Sequence, residues 1–185
     1  MKYFYFGTLI AVLLLSLIGC QQNVAQSNNQ SSNGAVEGFV EPEPSDWVEY
    51  TKPVREYMYY RTQAVLENNA HILWDQYPLL KENIDREKGL NVEKFEIESL
   101  NSGFELLDAN FNIEGYERIK VKTINNSEAI VLVHGSIVYL RNDFEESGGE
   151  YLIKLFLKQE GNQWTVVKTD EYTLPEYKEW LKEKQ

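Results

Sequence analysis

Of the residues that could do chemistry in this 185-residue chain, His134 is the best placed. It lies in the middle of a long β-patterned run, with Ser136 two residues along. If the turn at Asn125 and Asn126 closes a two-residue hairpin, Val121 faces Ile130, Ile119 faces Leu132 and Glu117 faces His134. A carboxylate beside an imidazole orients the ring and raises its pKa, as a general base requires. Lys168 and Asp170 share that face on a later strand and could close a pocket rim, with Trp164 on the same side. The catalytic candidates are therefore His134, Glu117 and Asp170, and the pocket candidates are His134, Ser136, Trp164 and Lys168. The blander alternative is a core histidine beside a surface ion pair, and it carries more weight. His71 has no second ligand at metal spacing. The acids Asp143, Glu145, Glu146 and Glu150 lack the positional pattern of a calcium loop. No cofactor or metal is implied.

Cys20 is the only cysteine, so it cannot form an internal disulfide. It follows Lys2, an apolar run from Leu9 to Ile18, and Gly19, the layout of a secretory signal. The run is short for a permanent membrane span. Leu17, Ile18, Gly19 and Cys20 resemble the lipobox of bacterial lipoproteins. That resemblance implies cleavage after Gly19, a diacylglycerol thioether on Cys20, and a chain anchored to the extracytoplasmic face of the cell membrane. Gln21 stands where an Asp would mark inner-membrane retention in that family, so a Gram-positive cell membrane and an outer membrane both stay open.

Loss of residues 1–19 takes the formal charge from −11 to −12, because that segment holds Lys2 and no acid. Such a charge argues against nucleic acid as a partner and against direct adsorption to an anionic bilayer. Residues 20–45 are rich in Gln, Asn, Ser and Gly and too poor in apolar side chains to offset chain entropy by burial. They read as a disordered tether after the lipidated cysteine. Residues 46–185 have the size and apolar content of one domain.

Apolar residues at three-to-four spacing (Trp47, Tyr50, Val54, Tyr57, Tyr60 or Arg61, Ala64) predict a helix to about Asn69. Its tyrosines form a packed face rather than a sugar or peptide platform. A second helical segment over 70–83 should break at Pro78, and Val92 to Leu100 suits a short helix or turn. After Gly115 the period becomes two. Strands are expected at about 116–124, 128–141, 150–160 and 163–172, with a short closing helix around Tyr177, Trp180 and Leu181.

This order implies an α+β fold, with helices packed on a curved four-stranded antiparallel meander. The helices, the meander and the turn-and-strand Gly161, Asn162, Gln163, Trp164, Thr165, Val166 and Val167 resemble the NTF2-like superfamily over residues 50–180. The resemblance implies a cone whose concave face can hold a pocket and whose convex face can dimerise. The register places Val133, Ile137, Tyr139 and Phe156 on that convex face, as interface candidates for a homodimer or an envelope protein partner. The preferred expectation is a non-catalytic binding or assembly module. The alternative is a small-molecule-binding or acid–base enzyme using Glu117 and His134.

If Cys20 is acylated, the membrane-extracted chain will lack residues 1–19 and carry a diacylglycerol by intact mass. Cys20→Ser will abolish both changes, together with incorporation of labelled palmitate. An unmodified, full-length chain would overturn the anchor.

Overall fold

The computed structural model describes residues 38–113 and 119–173. The first helix, α1 (Trp47–Leu66), buries the stripe Val54, Tyr57, Met58, Arg61 and Val65, spaced as one face of an α-helix requires. It begins at Trp47, so Pro53 lies inside it. Helix α2 (Ala70–Gln76) starts at Asn69, whose side chain accepts from the His71 N–H at 3.0 Å. Pro78 ends that helical path, and residues Pro78–Glu82 continue as a 3-10 turn.

A small hairpin, β1 (Ile84–Asp85) and β2 (Leu90–Asn91), leads into α3 (Val92–Leu100). Asn91 caps α3 by accepting from the Lys94 N–H at 2.9 Å, and its amide donates to the Leu80 carbonyl at 2.7 Å. One side chain therefore starts a helix and ties it to the preceding turn.

The main sheet is antiparallel and curved: β3 (Leu106–Asn112), β4 (Ile119–Asn125), β5 (Glu128–Arg141), β6 (Glu146–Glu160) and β7 (Gln163–Thr173). The order β3-β5-β6-β7 leaves β4 beside β3 along the same edge of the long β5. This is the expected α+β class, with one more strand than expected. Strand β3 alternates less cleanly in sequence, and it is paired only at one edge. The expected closing helix, the Cys20 anchor and most of the tether lie outside the described residues.

The β4–β5 register differs from the expected one by a single residue, and the face assignment changes with it. Asn125 pairs with Glu128, leaving Asn126 and Ser127 as the loop, and an irregularity follows between Thr123 and Asn125. Ile119 then stands opposite Val133 and Val121 opposite Val131. A one-residue slip turns every side chain of a strand over. Val131, Val133, Ile137 and Tyr139 therefore face the helices and belong to the main core with Val54, Tyr57 and Met58. Ile130, Leu132, His134 and Ser136 alternate onto the outer face, where Phe39 packs with Leu132 and Leu152. Val40 bonds both ways with Val121, at 3.0 and 2.7 Å, and holds that segment to the β4 edge.

Gly135 is required by its neighbour across the strands. A Cβ there would lie 2.5 Å from the Tyr151 hydroxyl and 2.9 Å from the Asn112 carbonyl. The Tyr151 ring occupies that space and reaches Met58 Sδ at 3.7 Å.

The faces of β5 are tested by paired substitutions. Val133→Asp puts a carboxylate into the core and should cost about 3 kcal/mol or more in urea unfolding. His134→Asp, on the outer face, should cost no more than about 1 kcal/mol. The reverse order would return β5 to the other register.

Candidate functional site

A cavity of about 570 Å³ opens between α3, the β1–β2 hairpin and the sheet end where β5, β6 and β7 run together. Its apolar wall is made by Leu90, Val92, Phe95, Leu100 and Ile137. Gly148 and Gly149 line it opposite Ile137 and Val138, where the sheet carries no side chain to fill the space. Gly148 has φ near +113°, and a Cβ there would meet the Ile137 carbonyl at 2.2 Å.

Arg61 forms the polar floor. It occupies a core position on the buried stripe of α1 and is only 3% exposed. Nη1 donates to the Tyr139 hydroxyl at 2.9 Å, and Nη2 donates to Glu171 Oε2 at 2.9 Å and Oε1 at 3.1 Å. Nη2 also pairs with Glu96 of α3. Burial disfavours the guanidinium charge, but Glu171, Tyr139 and Tyr57 outweigh that cost and hold its pKa above the ordinary value. Burial raises the Tyr139 phenol, with Arg61 opposing it.

Beside this cluster lies a second buried polar group. Glu93, 1% exposed, accepts from Thr169 Oγ1 at 2.6 Å and Asn83 Nδ2 at 2.7 Å through one oxygen. Its other oxygen has no hydrogen-bond partner. Burial raises its pKa, against the opposing pull of the Thr169 and Asn83 bonds. Arg61 and Glu93 each signal themselves in the sequence as charges on otherwise apolar stripes: 54-57-58-61-65 in α1, and 93-97-100 in α3. Neither residue belongs to a recognisable catalytic motif.

The residues expected to form a site are dispersed. His134 lies on the outer face with Nε2 3.8 Å from Glu150 Oε2, an ion-pair distance beyond hydrogen bonding. Glu117 lies outside the described residues, and the observed register puts Val133, not Leu132, opposite Ile119. Ser136 follows His134 outward. Lys168 Nζ lies 5.2 Å from the Phe156 ring centroid, also outside. Trp164 packs on the core near Tyr50 and donates to Glu49. Glu171 lines the cavity, and its neighbour Asp170 touches the rim while alternating onto the outer face opposite Lys154. Among the interface candidates, Val133 is in the core, Ile137 and Tyr139 line the cavity, and Phe156 alone faces outward. In the acidic turn, Asp143 pairs with Arg141, whose guanidinium stacks 3.5 Å over Phe104. Among the described residues, no three His, Cys, Asp or Glu side chains converge as metal ligands.

No family model matches the chain, and no curated protein does. Solved structures of the NTF2-like kind align with it. The association domain of C. elegans CaMKII has TM-score 0.46 and 12% identity, covering 71% of this chain and 100% of that one. A putative scytalone dehydratase from Novosphingobium aromaticivorans has TM-score 0.46 and 11% identity, covering 71% and 88%. An NTF-2 like protein of unknown function from Shewanella oneidensis has TM-score 0.38 and 14% identity, covering 65% and 97%. The likeness concerns the path of the chain, and what those proteins assemble or act on is theirs.

Glu93 makes stability depend on pH in a defined direction. Its folded-state pKa lies above the ordinary 4.5, so the folded chain keeps a proton that the unfolded chain releases as pH rises past that value. Its contribution is full below pH 4.5 and is lost as pH climbs through the raised folded pKa. Glu93→Gln should flatten that decline in urea unfolding measured across pH. An unchanged slope would show that another group sets it.

Proposed function

We propose that this chain is a lipoprotein anchored through Cys20 on the extracytoplasmic face of the cell membrane, and that its α+β domain is a non-catalytic binding module. The cavity behind Arg61 carries this reading. Its volume falls within the range that takes a drug-sized ligand, and it combines an apolar wall with a few fixed polar groups. Arg61 is held cationic and Tyr139 is held protonated, so neither exchanges a proton near neutral pH. A site built this way orients a ligand without moving protons. The face once expected to meet a protein partner loses Val133, Ile137 and Tyr139 to the interior, which favours the cavity as the place of recognition.

The lining also sets the sign of the ligand. Asp85, Glu96 and Glu171 border the cavity against Arg61 and Lys88. Glu96 and Glu171 already share the one guanidinium, so an incoming carboxylate would have to displace them. The ligand is an apolar body with a cationic end.

Tryptamine and indole-3-acetate have similar shapes and opposite charges. Titrated by calorimetry, tryptamine should bind about tenfold tighter. Leu100→Trp, which fills the apolar wall, should abolish that binding while leaving the circular dichroism unchanged. Failure of both probes, or preference for the acid, would overturn the assignment.

A further inference from the structure

The net charge of the chain conceals an uneven distribution. On the outer face of the sheet, the register aligns side chains in rows across the strands. One row is Lys120, Leu132, Lys154 and Asp170. The next is Lys122, Ile130, Phe156 and Lys168. Lys158 follows, opposite Glu128. The second row has an apolar centre, with Lys122 and Lys168 flanking Ile130 and Phe156 on both sides, and Lys154 stands beside it in the first. Among the described residues, the carboxylates of this half-face are Asp170, Glu128 and Glu160, fewer than the lysines. Glu145, Glu146 and Glu150 gather toward the opposite end, at the β5–β6 turn.

We propose that this lysine-rimmed half-face seats against an anionic lipid surface. Charge complementarity is the first reason. Lysines reach phosphates while Ile130 and Phe156 meet the headgroup boundary, and the acidic far end is kept away. The second reason is the point at which the chain joins the domain. Phe39 packs onto Leu132 and Leu152 of this same face, and Val40 bonds to the adjoining edge of β4. In sequence, only the polar stretch 21–37 separates Cys20 from Gly38. The anchoring half of this argument rests on the lipoprotein reading above. The lysine pattern does not.

The full-length protein is reconstituted into vesicles of phosphatidylcholine, with or without phosphatidylglycerol, and labelled with a water-soluble amine-reactive ester. Phosphatidylglycerol should slow the labelling of Lys120, Lys122, Lys154, Lys158 and Lys168 about threefold or more, and raised salt should restore it. Lys52, Lys81 and Lys94 on the helical elements, and Lys88 in the β1–β2 turn, should label equally in both. Lys122→Glu with Lys168→Glu should remove the protection of the remaining lysines without changing thermal unfolding. Equal labelling of the five in both vesicles, or slowing of all nine alike, overturns the proposal. Acylation of Cys20 is read by intact mass in the same preparation, so loss of the anchor and loss of the lysine contact are separate results.

Discussion

A single guanidinium fixes the geometry of the cavity. Arg61 reaches β5 through Tyr139, β7 through Glu171 and α3 through Glu96, from a position on the core stripe of α1. A charge in that position is costly unless its donors are satisfied, and removing one partner of such a cluster typically costs about 3–5 kcal/mol. The cluster therefore holds four elements in one arrangement. The space beside it persists because the glycines at 148 and 149 put no side chain there.

The same cluster is what the proposed binding role rests on. Catalytic proton transfer calls for a group that exchanges protons near the working pH. Arg61 is driven away from that range by its anionic neighbours, and Tyr139 by burial. Glu93 is pushed toward neutrality, but it is closed off by Asn83 and Thr169 and does not border the cavity.

The two faces of the sheet have opposite electrostatic character, although they are built from the same strands. The cavity side gathers carboxylates around one arginine, and one half of the outer side gathers lysines around Ile130 and Phe156. A sum over the chain averages these and points away from any anionic partner. Electrostatic attraction acts over about a Debye length, near 8 Å at physiological salt, so the local arrangement governs.

Most of the elements are legible in local patterns of residues. The 3.6-residue spacing marked α1, Pro78 broke the second helix, and the change to a period of two marked β4 to β7 within a few residues. These are local properties, carried by neighbouring residues. Only the tertiary structure decided which side of β5 is inside. Val131 and Val133 alternate with Ile130 and Leu132, so both faces of that strand are apolar and the pattern favours neither. One residue of loop at Asn126 and Ser127 settles it, and it sends His134 outward and Tyr139 to Arg61. The cavity residues come from α1, α3, β5, β6 and β7, whose convergence depends on contacts between residues far apart in the chain. That is why Arg61 stands out in the sequence only as a charge on an apolar stripe, and becomes a site only when Glu96, Tyr139 and Glu171 are folded around it.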